Sequence, residues 1–154
     1  MDFWIRDAIS ADAEGIAQLV RQLAAAFGQR SPVSASFVLH YLAQDRSAVL
    51  LAEDDDHQLL GLVSYTLRPN LYHAGNTCLI EELIVRDQVR GQGVGSALVT
   101  TLLERLKSTD CVEVSVSTLM DNQPAIRFYR DHGFVDEALL LEQHLCRVET
   151  GVAD

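Results

Sequence analysis

The chain opens on a change of period. Phe3 to Ala8 reads as a first strand, and Ser10 follows as an N-cap with Asp12 and Glu14 in the next turn. Ile16, Leu19, Val20, Leu23 and Phe27 then recur at helical spacing, which predicts a helix with one apolar face. Gly28 to Pro32 breaks it. Ser34 or Ser36 starts a second, shorter helix that runs to Ala43 and carries His40 and Tyr41. Ala48 to Glu53 and Leu59 to Leu67 read as strands. The turn Asp54-Asp55-Asp56-His57 between them makes an antiparallel hairpin, and its acids lack the spacing of an EF-hand loop. Arg68 to Asn76, with Pro69 and Gly75, is predicted as a loop.

The second half alternates more regularly. Cys78 to Arg86 is a mostly apolar fourth strand, and Leu98, Leu102 and Leu106 mark a helix over Ala97–Lys107. Cys111 to Thr118 alternates Val112, Val114 and Val116 as a fifth strand. Strand, helix and strand at these lengths form a βαβ crossover, so the fourth and fifth strands should be parallel. Asn122 caps a last helix with Pro124 in its first turn, and Gly133 ends it in a left-handed position. Phe134-Val135 starts another strand and Ala138 to Val148 gives the last. The order β-α-α-β-β-β-α-β-α-β-β makes an α+β (mixed α/β) fold. It predicts a mostly antiparallel sheet of six to seven strands with four helices, one domain over residues 1–150 and a short tail at 151–154.

Composition narrows the function classes. A chain of 154 residues is long enough to bury a real core, and 48% hydrophobic residues is ordinary for a globular domain. The net charge of −10 opposes a nucleic-acid binder. No apolar run approaches a membrane span, and the first ten residues have no basic start or long apolar stretch. A cytoplasmic protein with no membrane partner is therefore expected. Cys78, Cys111 and Cys146 form no CxxC pair, and no Cys/His cluster has metal spacing, so no metal is expected. The charge is uneven: residues 1–60 hold 4 basic and 9 acidic residues, 131–154 hold 1 and 6, and 61–130 hold 7 and 7. The balanced middle segment tolerates a polyanion best.

That segment contains VRDQVRGQGVGS, Val85 to Ser96, between the fourth strand and the helix after it. Gly91, Gly93 and Gly95 sit where backbone N–H groups and the positive end of a helix dipole collect, which suits a phosphate. Arg86 and Arg90 flank the turn. A dinucleotide GxGxxG motif or a P-loop starting at Gly91 needs glycine at 96, where Ser96 stands. These failed spacings oppose a nucleotide-binding module. Arg90, Gly93 and Gly95 instead fit R-x-x-G-x-G. Downstream, Asn122-Gln-Pro-Ala-Ile-Arg-Phe-Tyr129-Arg-Asp-His-Gly133-Phe134 fits N-x-x-A-x-x-F-Y-x-x-x-G-F at every specified position.

Together these two motifs resemble the GNAT superfamily of acetyl-CoA-dependent N-acetyltransferases. The likeness of element order covers nearly the whole chain, while the specific motifs lie between residues 81 and 134. The resemblance implies that acetyl-CoA is the co-substrate. Its pyrophosphate would lie on the turn Arg90, Gly91, Gln92, Gly93, Val94, Gly95 and Ser96. Its pantetheine would pair with the backbone of Leu83, Ile84 and Val85 where the fourth and fifth strands splay apart. Asn122 would contact the pantetheine arm or order the end of the fifth strand. Tyr129 would stand near the sulfur as the acid that protonates the departing thiolate. The resemblance also implies an amine acceptor and, in many members, a homodimer, which the apolar run Ala138–Leu141 would support.

The reaction needs a base, because an alkyl ammonium with a pKa near ~10 must lose a proton before it attacks. Glu81 and Glu82 are two carboxylates inside an otherwise apolar strand, a costly arrangement unless they serve something or reach solvent. The resemblance favours Glu81, with Glu82 as the alternative. Neighbours on a strand point to opposite faces, so one of the two should look toward the acceptor unless a bulge intervenes. The N–H of Val85 is expected to meet the tetrahedral oxyanion. The expected activity is acetyl transfer to a small cationic primary amine by direct attack in a ternary complex. A peptide or protein acceptor is an alternative, as is a degenerate domain that binds acyl-CoA as a sensor. Tyr65, His40 and His73 are further pocket candidates, and the acceptor side falls to the loops near Phe27–Ser34 and Val135–Ala138.

Overall fold

The structure is a computed structural model that describes residues 1–145. Its strands are β1 (Phe3–Asp7), β2 (Ser47–Asp54), β3 (Leu59–Asn70), β4 (Gly75–Val85) and β5 (Cys111–Val116). Its helices are α1 (Ala13–Ala26), α2 (Ala35–Leu42), α3 (Val94–Lys107) and α4 (Gln123–Asp131). The strands form one sheet in the order β1-β2-β3-β4-β5, antiparallel throughout except for β4 and β5. The parallel pair is the one that α3 bridges, as a crossover connection requires.

Each face of the sheet has its own core. Leu50, Ala52, Val63, Cys78 and Ile80 pack with Val94, Leu98, Leu102 and Leu106 of α3. Val49, Leu51, Leu62 and Ile84 pack with Ala13, Ile16, Ala17 and Leu19 of α1 and Val38 of α2. The continuous apolar runs of β2 and β3 follow from this, since both faces of those strands are covered. Truncating a fully buried residue such as Leu62 or Leu98 to Ala would cost about 2–5 kcal/mol.

Several boundaries differ from the sequence reading. The 68–76 loop is only a hairpin tip, because β3 runs on to Asn70 and β4 starts at Gly75. Ser10 does not cap α1. It begins a short 3-10 turn, Ser10–Asp12, whose end Asp12 ties down by accepting from the Ile9 N–H at 2.7 Å. Ser34, by contrast, does cap α2, accepting from the Phe37 N–H at 3.2 Å.

The larger correction concerns strand number. Five strands form among the described residues, not six or seven. Residues 134–145 form no strand, so Phe134-Val135 starts none. The part of the expected Ala138–Val148 strand beyond residue 145 lies outside the described residues, as does the 151–154 tail. Leu139, Leu140, Leu141 and Leu145 are exposed. Their run is continuous rather than alternating, so it lacks the period of two that would turn one face onto the α3–α4 layer.

Candidate active site

Two local irregularities shape the sheet where chemistry is expected. The first is a splay. β4 pairs with β5 from Asn76 to Ile80, with Ile80 opposite Val116, and no further. β4 then continues through Glu81, Glu82, Leu83, Ile84 and Val85 with only β3 beside it. The backbone groups of this segment that face β5 have no strand partner among the described residues, which is the opening that a pantetheine needs. Leu83 and Val85 turn their side chains to the α3 core, while Ile84 joins the α1–α2 core.

The second irregularity is a bulge. In the β3–β4 register Ser64 faces Glu82 and Tyr65 faces Ile80, so Glu81 is the extra residue. A bulge breaks the strict alternation of faces. Glu82 lies two residues before Ile84 and shares its α1–α2 face. Glu81 is held by Thr66, whose Oγ1 donates to its Oε1 at 2.9 Å. Thr66 lies two residues after Ser64 and therefore on that same face. Both glutamates thus look toward α2, where simple alternation would have sent only one.

They differ in environment. Glu81 is exposed and Glu82 is half-buried. Burial raises the Glu82 carboxyl above the usual range, the Ser64 hydroxyl works against that, and the charge of Glu81 adds to it. Ser64 is itself buried, and its hydroxyl donates to Glu82 Oε2. Tyr41 of α2 reaches over the same patch and donates its hydroxyl to the Tyr65 carbonyl at 3.3 Å. Burial, then the charges of Glu82 and Glu81, push its phenol up as well.

The glycine turn is more helical than its sequence indicates. Asp87–Val89 is a 3-10 turn, and α3 begins at Val94, not Ala97, so Gly95 and Ser96 lie in its first turn. Gly93 is the N-cap in the left-handed region, at φ 87°. A Cβ there would project into open space, so what demands glycine is the backbone conformation and the room above it. The first bond of the helix runs from the Ala97 N–H to the Gly93 carbonyl at 2.9 Å. The N–H groups of Val94, Gly95 and Ser96 precede it and point out of the helix end, together with its positive dipole. Gly91 is also left-handed, at φ 74°. Gln92 sits in the turn, its N–H directed at the Val89 carbonyl at 3.4 Å. This is a cradle of the right chemistry for a pyrophosphate.

The two arginines divide their work. Arg86 donates to the Leu59 carbonyl and so fastens the end of β4 to β3 rather than facing the turn. Arg90 is exposed, pairs with Asp87 at 2.9 Å and directs its Nε at the Val85 carbonyl at 3.4 Å.

α4 closes the third side. Asn122 is its N-cap, with the side chain accepting from the Ala125 N–H at 3.3 Å. Gly133 ends it in the left-handed region at φ 91°, as the sequence predicts. Phe128 reaches α3: a Cβ built on Gly95 would lie 3.5 Å from Val85 Cγ2 and 3.7 Å from the Phe128 ring. Tyr129 follows it, edge-on to both Phe128 and Phe134. Burial holds the Tyr129 phenol protonated, with its pKa pushed up to about 12.

Three sequence candidates fall elsewhere. Tyr65 packs against the α3 core on the other face of the sheet, and His40 is exposed. His73 sits at the β3–β4 hairpin tip, 3.1 Å from Glu113. Sequence reasoning missed Ser64 and passed over Tyr41. The signal for Ser64 was present, as the one aliphatic hydroxyl inside the run Leu59-Leu-Gly-Leu-Val-Ser-Tyr. A cleft between α1 and the end of β4, lined by Leu23, Ala26, Ile84, Val85 and Arg90, adjoins this site. A larger groove, about 460 Å³, runs along α3, β5 and the end of α4, away from Glu82 and the glycine turn.

The chain belongs to the acetyltransferase (GNAT) family, whose sequence profile matches residues 16–134. Among curated proteins it is similar to an aminoalkylphosphonate N-acetyltransferase of Salmonella typhimurium, 30% identical over 50% of each chain. It is also similar to an aminoglycoside N(6')-acetyltransferase type 1 of Klebsiella aerogenes, 30% identical over 60% of this chain and 62% of that one. The chain thus spans between half and two thirds of the length of these relatives. A transcriptional regulator from Bacillus halodurans C-125 shares the fold with a TM-score of 0.82 at 24% identity, over 94% of this chain and 100% of that one. No described helix is long and apolar enough to cross a membrane.

Proposed function

We propose that this chain transfers the acetyl group of acetyl-CoA to a small cationic primary amine, by direct attack within a ternary complex. The observation that carries this reading is the junction of the splay and the bulge. β4 loses its β5 partner at Ile80, and at the next two residues it turns two carboxylates onto one face. An acyl-CoA lying along Leu83, Ile84 and Val85 would therefore present its thioester close to the acids that an amine needs. The glycine turn supports the same reading, with N–H donors for a pyrophosphate and Arg90 at its edge.

Each residue has a task in this reading. Glu82 takes the proton from the ammonium, directly or through water. Its support is a raised pKa, which brings a carboxylate nearer to neutral pH, where a base works best. Glu81, exposed beside it, holds the incoming cation. This reverses the preference that the resemblance gave. The Val85 N–H donates to the oxyanion. Tyr129 then protonates the thiolate. Its support is burial, which keeps the phenol protonated at neutral pH and so holds a proton available for the thiolate. Alignment of thioester and amine in the ternary complex supplies much of the acceleration.

The relatives' names include an aminoalkylphosphonate and an aminoglycoside, both amines but of opposite tendency in charge. Two carboxylates on the acceptor face favour the cationic one. The test mixes acetyl-CoA with kanamycin, spermidine, aminomethylphosphonate, amino acids and a peptide N-terminus, and follows release of free CoA thiol. Turnover with kanamycin or spermidine is expected. Preference for the phosphonate or the peptide would overturn the acceptor class. Binding of acetyl-CoA without turnover of any amine would favour the sensor alternative.

A further inference from the structure

The Glu82 carboxylate is fixed from the neighbouring strand β3. Ser64 stands directly opposite Glu82 in the β3–β4 register. Two hydrogen bonds join them. The Glu82 N–H donates to Ser64 Oγ at 3.1 Å, and the Ser64 hydroxyl donates to Glu82 Oε2. A hydroxyl has one proton, and with the amide taking a lone pair, that proton is directed at the carboxylate. Ser64 is only 5% exposed, so its hydroxyl is costly to bury without this use. Among the described residues no buried side-chain oxygen lacks a partner, and Glu82 Oε1 makes no hydrogen bond. Oε1 is therefore not fully enclosed and has no hydrogen-bond partner among the described residues, while Oε2 is held.

The neighbouring carboxylate has a separate hydroxyl. Thr66 binds Glu81, so β3 supplies one donor to each acid across the bulge. The titratable groups that face Glu82 are Glu81 on its own strand and Tyr41 from α2, while β3 contributes the uncharged Ser64 and Thr66.

We infer that Ser64 is a positioning residue for the base: its hydroxyl clamps Glu82 Oε2 and so leaves Oε1 as the atom that receives the acceptor's proton. This rests on the reading of Glu82 as the base. The clamp has a second effect, because a donor to a carboxylate favours its charged form. Without Ser64 the opposing influences, burial and the charge of Glu81, act unchecked, and the Glu82 carboxyl should titrate higher.

The experiment is a 13C NMR titration of glutamate-labelled protein, with the Glu82 signal assigned by its loss in Glu82→Gln. Ser64→Ala should raise the Glu82 midpoint by about half a pH unit or more. Ser64→Thr keeps a hydroxyl on a residue that suits strands, and should restore it. In parallel, kcat/KM is followed against pH for the best amine of the panel. Ser64→Ala should move the acidic limb upward by the same amount and lower kcat about tenfold at neutral pH, with KM for acetyl-CoA unchanged. An unmoved midpoint in folded Ser64→Ala overturns the inference. If Glu82→Gln keeps both the limb and kcat, the base reading itself fails. If Glu82→Gln abolishes the limb while Ser64→Ala leaves it in place, the clamp alone fails.

Discussion

Tyr129 shows how far a single residue can be read in advance. Its place in the F-Y pair before Gly133 is local information, because α4 carries its own start and stop signals in Asn122, Pro124 and Gly133. Its protonation state was not readable, since the burial that raises its pKa comes from packing against residues such as Phe134. The same divide separates Glu81 from Glu82. Sequence marked both as anomalous in an apolar strand. Which is buried, and that both face α2, depends on a register set by β3. Tyr129→Phe keeps the ring and removes only the proton donor. Its kcat should fall on the order of 10²-fold with acetyl-CoA affinity little changed. Steady-state kinetics and a binding titration check this, and an unchanged kcat would mean that water protonates the thiolate.

At the scale of elements, helix starts were harder to read than helix bodies. The apolar repeat of α3 begins at Val94 but is masked by Gly95 and Ser96, so periodicity alone placed the start three residues late. The helix start matters for the proposed function, because it makes the N–H groups of Val94 to Ser96 the open end of a helix. Gly93→Val would force a β-branched residue into a left-handed position, which costs roughly 1–2 kcal/mol or rebuilds the turn. Acetyl-CoA affinity should drop at least tenfold in calorimetry, while the fold measured by circular dichroism stays intact. The other end of the sheet makes a separate, structural prediction. Arg6 of β1 binds Asp12 at 2.8 Å and also Glu53 of β2, and Glu53 receives His57 at 2.6 Å. The hydrogen bond from Arg6 holds the Asp12 carboxyl below its usual range, and that from His57, with Arg6, does the same for Glu53. Both folded-state pKa values are depressed, so their stabilisation is present above the unfolded carboxylate pKa near ~4 and is lost as pH falls through the folded values. Melting temperature should therefore fall steeply on acidification below that point, and Glu53→Gln should lower it at pH 7 while flattening the acid slope. Parallel melting curves in wild type and variant would contradict the assignment.

Over the whole molecule, the topology was legible where connections are short and local, and was lost where a strand needs a distant partner. The hairpin of β2 and β3 and the crossover from β4 to β5 follow from turn residues and spacing. The expected strands after Gly133 have no such signal, and the run at Leu139–Leu141 lacks alternation. Charge is the property that belongs to the chain as a whole. Acidic residues exceed basic ones only in residues 1–60 and 131–154, and α1 and α2, which cover the face of Glu81 and Glu82, lie in the first of these. The segment between them, which the proposal assigns to the cofactor, is balanced. A negative field on the proposed acceptor face would draw cations in and speed their encounter, an effect that salt screens over about 10 Å at 0.1 M. A locally bound ammonium held by Glu81 would add to this, and it is screened less. For kanamycin or spermidine, kcat/KM should therefore rise several-fold as ionic strength falls from about 0.5 M to about 0.02 M, carried mainly by KM. A neutral amine of matched size should show little change, and aminomethylphosphonate the opposite slope. Glu81→Gln should reduce the salt dependence for the cations without removing it, since the acidic surface remains. Identical salt profiles for cationic and neutral amines would show that the acidity serves only solvation, and the case for a cationic acceptor would then rest on the two glutamates alone.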